Sequence, residues 1–334
     1  MIDSLRFVLV RISGSVRQGV YALMRAEDPC ILRQSGEKRG VRLDLSEVRK
    51  EIDRVDAGIR ELFLERMQLA EQVVRVKAET GDGIYKPDRE GTIILKQTGG
   101  MDPAVVREYT AFIKKVMEVS RMYQYGRMLE LTDCFPFAYA RRKKKMRRFC
   151  VLNEDLCFCS GMQDGELVAA HSYEDMAEAI KKGLADAGMA VVEDTGGSSF
   201  EELQQLLLHK NMYITESVSL AEEKEAAAKV PCRRLTFSDT LEVLPEHNRL
   251  RLMVACPEKK DGMASLFSMI ADYGVEITDL QLCRDIGSRT PERRFFAELS
   301  VNMDLAEGRA LLYQLSQEAG ALRILGSYRC EEAE

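Results

Sequence analysis

Arg66 and Lys77 are the residues from which a chemistry can first be read. Apolar residues recur at Leu45, Val48, Ile52, Val55, Ile59 and Leu62, then at Leu69, Val73 and Val76. The alternating steps of three and four make a heptad seam on one long helix. Arg66 stands where that seam requires a hydrophobe. Lys77 follows eleven residues later, which puts it about 20° around the helix and roughly 16 Å along it. Two cations therefore face one interior region, and a buried cation without a partner is strongly unfavourable. Either an anionic ligand meets them, or carboxylates from another helix do.

The elements that must position this pair can be read around it. Asp44 or Ser46 caps the first helix, and Gly81-Asp82-Gly83 ends it. Tyr85-Lys86-Pro87-Asp88-Arg89-Glu90 turns the chain into a second helix, which Gly99-Gly100 breaks. Asp102 is the expected cap of a third helix, with Pro103 in its first turn. Its stripe runs Val106, Tyr109, Ile113, Val116, then Ser120 and Tyr123, with Gln124 alongside. Polar residues again take the inward face at one end.

Residues 41–131 resemble the all-helical class of chorismate mutases. The family pattern is an Arg near the start of helix one, an Arg mid-helix and a Lys near its end. An Arg-Glu pair then opens helix two, and a Ser-xxx-Gln lies on helix three. Here those positions are Arg49, Arg66, Lys77, Arg89, Glu90, Ser120 and Gln124. Lys86 departs from the family, whose members often carry an acid there; the resemblance implies that this position offers its backbone N–H. It also implies that the arginines grip the carboxylates of chorismate through forked hydrogen bonds. Lys77 and Gln124 would donate to the ether oxygen, Glu90 would accept from the ring hydroxyl, and Ser120 would assist a carboxylate. The reaction is an intramolecular rearrangement to prephenate. It needs the compact conformer held and the charge on the breaking C–O bond stabilised. Arg49 lies 28 residues from Lys77, roughly 42 Å along a straight helix. If Arg49 binds substrate, it comes from a second subunit, which predicts an intertwined homodimer.

Downstream, residues 132–148 are expected as a basic linker carrying Arg141-Arg142-Lys143-Lys144-Lys145-Met146-Arg147-Arg148. Residues 149–245 read as α/β. Strands are expected at 166–170 and 187–192, with helices at 173–182 and 200–209. The stretch from Tyr173 to Leu220 resembles part of the prephenate dehydratase fold, with Glu193, Asp194 and Thr195 at its acid-Asn-Ser/Thr position. The Gly-Pro-x-Gly-Thr-x-Ser opening and the Thr-Arg-Phe signature are missing, and Thr236-Phe237 lacks the Arg. The dehydratase part is therefore expected to be inactive. Residues 246–334 give strand, helix, strand, strand, helix, strand, the βαββαβ order of a ferredoxin-like fold. They resemble the ACT regulatory domain of prephenate dehydratases, most clearly at Ile324-Leu325-Gly326-Ser327-Tyr328. Gly262 and Met263 fall at the family's effector-binding turn, whereas Gln281-Leu282-Cys283-Arg284-Asp285 replaces its Glu-Ser-Arg-Pro motif.

Composition limits the alternatives. The 334 residues allow two or three domains. A net charge of −6, and a basic run without interleaved aromatics, gives no case for nucleic acid. The nine cysteines lack paired CxxC spacing and read as reduced cytosolic thiols; His171, His209 and His247 have no companions at metal spacing. No apolar run reaches the length of a membrane span, and Asp3 with the arginines after it argues against a signal peptide. Residues 1–40 are expected to be an extension. The chain thus reads as multidomain. An all-α mutase domain is followed by a partial α/β domain and an ACT domain, all cytoplasmic, with no cofactor and no metal. Chorismate is the expected substrate, with prephenate and phenylalanine as further ligands. The alternatives are a bifunctional mutase–dehydratase that yields phenylpyruvate, and a non-catalytic ACT-containing sensor.

Overall fold

The computed structural model describes residues 44–159, 165–193, 198–220, 232–259, 261–283 and 293–330. The extension expected at residues 1–40 lies outside them, as do Asp194 and Thr195. The chain divides into two compact units, residues 1–62 and 63–334. The boundary falls within helix α1 (Leu45–Thr80).

In the first unit, α1 starts where the sequence places it. Asp44 accepts from the Ser46 backbone N–H at 3.0 Å and from the Ser46 hydroxyl at 2.7 Å. Its carbonyl takes the first helical bonds, from Glu47 and Val48. The seam residues Leu45, Val48, Ile52, Val55, Ile59 and Leu62 are all exposed, between 38% and 68%.

In the second unit α1 runs on to Thr80, and Gly81 closes it at φ +71°, a left-handed backbone that glycine adopts without steric cost. Helix α2 (Pro87–Thr98) begins on its proline, which needs no N–H partner in a first turn. Helix α3 (Val106–Leu131) starts later than expected. The Asp102 side chain accepts from the Ala104 N–H at 2.9 Å, so Asp102 and Pro103 build a turn before the helix rather than its first turn. Val74, Ile84, Tyr125 and Met128 form the core of this helical part.

A mixed sheet follows, with the order β2-β1-β3-β5-β4-β9-β6-β8-β7. Its first half holds β1 (Arg148–Leu152), β2 (Glu166–Ala170) and β3 (Ala187–Glu193), all parallel. Next to β3 come β4 (Tyr213–Leu220) and β5 (Cys232–Ser238), an antiparallel pair. A short helix α4 (Leu156–Cys159) and the longer α5 (Tyr173–Lys181) and α6 (Ser198–Lys210) accompany them. Strands β1, β4 and β5 were not expected from the sequence, although β2, β3, α5 and α6 lie where it placed them.

The second half is β6 (Arg249–Ala255), α7 (Gly262–Asp272), β7 (Ile277–Leu282), β8 (Arg294–Leu299), α8 (Ala306–Glu318) and β9 (Ala321–Tyr328), the expected βαββαβ order. The halves join where β9 runs beside β4, pairing Ile214 with Gly326. A Cβ on Gly326 would stand 2.4 Å from the Ile214 carbonyl oxygen, so only glycine permits that approach.

The basic run is held at several points. Ala140 exchanges backbone hydrogen bonds with Leu241 and Val243, the Lys144 N–H donates to Glu242 at 2.7 Å, and Arg141 pairs with Asp304 at 2.9 Å. Phe135, Phe137 and Tyr139 pack against the core of the βαββαβ segment.

Candidate active site

The cavity that gathers the singled-out residues lies in the second unit, between the C-terminal half of α1, the turn into α2, and α3. It measures about 540 Å³. Arg66 and Lys77 enter from α1, Lys86, Arg89 and Glu90 from the start of α2, and Ser120 and Gln124 from α3. Leu69, Ala70, Val73, Ile84, Ile93 and Met117 supply an apolar wall. Such a shell, with a few polar groups converging on one volume, suits a small polar molecule with an apolar ring.

Charge decides what that molecule is. Five cations (Arg66, Lys77, Lys86, Arg89 and Arg121) and three carboxylates (Asp82, Asp88 and Glu90) line the cavity, and Glu318 behind Arg121 adds a fourth carboxylate. Lys86 is bound to Asp82 at 2.5 Å, and Arg121 to Glu90 at 2.5 Å. None of Arg66, Lys77 and Arg89 has an ion-pair partner among the described residues. Arg66 donates to the Val116 carbonyl at 3.3 Å and Lys77 to the Ile84 carbonyl at 2.9 Å. Carbonyls orient these cations without neutralising them. Of the two alternatives, an anionic ligand or carboxylates from another helix, the second is not what the described residues show.

Burial pushes the Lys77 amine below the ordinary lysine value, with Asp82 pulling the other way and Lys86 and Arg89 adding to the depression. Arg66 is lowered likewise by burial, opposed by Glu90. Both shifts have the sign expected when cations are desolvated ahead of their counter-ion. A bound dianion would reverse them.

On α3, Ser120 is 3% and Gln124 8% exposed. The Gln124 amide donates to the Ser120 carbonyl at 3.1 Å and weakly to its hydroxyl at 3.4 Å. Its Oε1 is buried with no hydrogen-bond partner. An unsatisfied buried amide oxygen is costly in a protein interior, and here it belongs to a side chain lining the cavity.

Sequence reasoning missed Arg121. It is 5% exposed, lines the cavity, and its guanidinium lies 4.9 Å over the Tyr85 ring. Burial disfavours its charge, but Glu318 and Glu90 outweigh burial and hold its pKa above the ordinary arginine value. A cation beside Ser120 on a helix is ordinarily a solvent residue, and its partner Glu318 is 197 positions away, so no local pattern marked it.

The remaining predicted residues lie elsewhere. Arg49 is exposed, belongs to the first unit, and is not among the residues lining the cavity. Glu193 is exposed at the end of β3. Thr236 is buried on β5, where its hydroxyl donates to Glu216 at 3.3 Å. Gly262 is buried, and a Cβ there would meet the Pro257 carbonyl oxygen at 2.1 Å; Met263 beside it is exposed. Among the described residues no group of three or more His, Cys, Asp or Glu is placed to hold a metal ion, and no helix is long and apolar enough to cross a membrane.

Residues 48–125 match the family model for chorismate mutase type II. No curated protein matches the chain by sequence. Among solved structures, a protein described as a novel type of quorum quenching acylase aligns at 17% identity and a TM-score of 0.47, covering 55% of this chain and 96% of its own. The prephenate dehydratase of Streptococcus mutans gives 16% and 0.44 over 55% of this chain and 97% of its own. That of Arthrobacter aurescens, solved with L-Phe, gives 13% and 0.43 over 55% and 90%. A chorismate mutase type II domain is present at residues 48–125, followed by a large mixed α/β sheet.

Proposed function

We propose that this protein is a chorismate mutase, converting chorismate to prephenate in the cavity between α1, α2 and α3. One observation carries the reading: a cavity of about 540 Å³ lined by three cations, Arg66, Lys77 and Arg89, that have no carboxylate partner among the described residues. Chorismate is a dianion with a six-membered ring, and both halves of that description are matched by the lining.

The rearrangement needs no nucleophile and no proton shuttle, so the residues act by position and charge. Arg66 and Arg89 take the carboxylates, for which a guanidinium fork is the fitting donor. Ser120 adds a hydroxyl to one of them. As the ether C–O bond lengthens, negative charge grows on its oxygen. Lys77 and the Gln124 amide donate there, in surroundings where burial strengthens each hydrogen bond. Gln124 turns from its weak 3.4 Å contact with the Ser120 hydroxyl to do so. Glu90 accepts from the ring hydroxyl with the oxygen that Arg121 leaves unoccupied. Lys86, at the N-cap position of α2, offers its backbone N–H.

A second copy completes the site. The exposed seam of α1, including Ile52 at 53% and Leu62 at 68%, is an apolar face that an antiparallel or parallel partner helix would cover. Arg49 of that copy then supplies a further guanidinium to the cavity. The βαββαβ segment acts as an ACT-type regulatory domain, with the turn at Gly262 and Met263 as its effector site and phenylalanine as the ligand to test. The sheet before it, lacking the Thr-Arg-Phe signature, carries no dehydratase activity.

Incubating the purified full chain with chorismate and identifying the product tests the reading. Prephenate supports it, phenylpyruvate shows a working dehydratase as well, and unchanged chorismate refutes it. A rise in unfolding temperature on adding phenylalanine would establish the effector.

A further inference from the structure

Arg121 has no task in the mechanism just described, yet it is the most heavily paired cation at the cavity. Its Nη1 donates to Glu90 Oε1 at 2.5 Å, while Nε and Nη2 donate to the two oxygens of Glu318 at 3.0 and 3.2 Å. Glu318 is the last residue of α8, inside the βαββαβ segment, and its side chain is 2% exposed. It is held in turn. Gln314 donates to Glu318 Oε1 at 3.1 Å, and Gln314 Oε1 accepts from the Tyr273 hydroxyl at 3.1 Å. The Tyr273 hydroxyl also reaches the Met122 carbonyl on α3 at 3.4 Å. Tyr85 closes the face of the guanidinium.

The arrangement is more than is needed to neutralise a buried arginine. Glu318 alone occupies the Nε and Nη2 edge in the forked geometry that suits a carboxylate. Nη1 is thereby left to face Glu90, and one of its two N–H groups donates to one oxygen of that carboxylate. If Glu318 released Arg121, the guanidinium would be free to turn its fork on Glu90 and engage both oxygens, withdrawing the carboxylate from a ligand. Charge-assisted bonds in so buried a setting are strong enough to set a rotamer.

We propose that Arg121 is the positioning residue for Glu90, and that Glu318 is the brace through which the βαββαβ segment sets turnover in the helical cavity. The inference rests on the mutase reading of that cavity. Any ligand or contact that displaces α8 or Tyr273 would act on catalysis by this route, without touching the substrate.

The test is a double-substitution cycle on the full-length chain, with kcat/KM for chorismate as the readout. Wild type, Glu318→Gln, Glu90→Gln and the double variant are compared. Glu318→Gln keeps the shape but weakens the brace, and it should lower kcat/KM by about tenfold, within the range for residues sharing one network. In the Glu90→Gln background the same change should cost less than about twofold, because the group being positioned is no longer an anion. A general loss of packing would cost the same in both backgrounds, and equal losses overturn the inference. Should Glu318→Gln fail to fold, Arg121→Lys serves in its place. It keeps the cation but removes the fork, with the same expected dependence on Glu90 and the same refuting result. A wild-type chain that leaves chorismate unchanged overturns the mutase reading and this inference with it. An active wild type with equal losses in both backgrounds overturns the inference alone.

Discussion

Replacing Lys77 by Met separates a catalytic donor from a structural one. Lys77 makes one hydrogen bond, to the Ile84 carbonyl at 2.9 Å, and no ion pair among the described residues. Methionine fills most of the same volume against Val73, Ile84 and the other apolar lining residues. Losing the donor leaves a part-buried carbonyl unpaired, at about 1–3 kcal/mol. Removing a cation that burial already disfavours works in the opposite direction. The net change should stay within about 1–2 kcal/mol, a shift of a few degrees in a chain of this size. Turnover responds differently. A donor aimed at a developing oxyanion is worth roughly 10²–10³ in kcat, or about 2.7–4 kcal/mol. Loss of chorismate absorbance at saturating substrate measures turnover, and thermal unfolding measures stability. A Met variant within about threefold of wild-type kcat removes Lys77 from the mechanism, and a collapse in unfolding temperature makes it a structural residue. The depressed amine also carries a sign. Lys77 must be protonated to act, so kcat/KM, which reports the free enzyme, should fall as pH rises through a pKa below the ordinary 10.5. Lys77→Arg should move that alkaline limb upward.

Three further outcomes follow from other parts of the molecule. Ile52→Glu or Ile59→Glu places charge on the exposed α1 seam and should convert a dimer to monomer in sedimentation, with loss of turnover; an Arg49→Ala protein of full activity would remove the shared-site argument. Glu71 is held at a pKa of about 2, against an ordinary 4.5, by its hydrogen bond from Arg127. Asp186 is held at about 2, against 3.8, by the backbone N–H groups of Arg147 and Arg148. Both pKa values are depressed on folding, so their contribution is present above the unfolded values and is lost as pH falls toward 2. Unfolding temperature against pH should show that acid limb, and Glu71→Gln should flatten it; an unchanged limb sinks the assignment. Gly326→Ala sets a methyl 2.4 Å from the Ile214 carbonyl oxygen, which should part β9 from β4 at a cost of about 1–3 kcal/mol, and unaltered stability would contradict the close approach.

The elements that were legible in sequence share a cause. α1, α2 and the βαββαβ segment have apolar residues at a clear period, with glycine or proline at their ends. β5 has neither mark. Its sequence begins Cys232-Arg233-Arg234, and its apolar residues are confined to Leu235 and Phe237, yet it is an interior strand between β3 and β4. One of its cations is met from across the sheet, where Arg233 lies 3.5 Å from Glu298 on β8. A strand whose polarity is cancelled by a residue far along the chain cannot be recognised from its own composition. β4 is obscured in a related way, since Glu216 and Ser217 interrupt its alternation where its pairing with β5 shifts register.

The same physics divides the site. Arg66 could be found because it breaks a seam, and a broken period is visible within one helix. Lys77 could be found because its spacing along the same helix ties it to Arg66, and Glu90, Ser120 and Gln124 through the resemblance to the all-helical mutases. Arg121 breaks nothing: α3 would read equally well with a solvent-facing arginine at that place. What makes it buried is α8, whose Glu318, Gln314 and Ala310 pack along α3, Ala310 lying within 4.0 Å of a Cβ built on Gly126. A buried charge is meaningful only together with its counter-charge, and here the counter-charge belongs to another segment of the fold. Residues that connect one segment of a fold to a cavity in another are of this kind by construction. They lie where two segments meet, so the pattern of either segment alone cannot contain them.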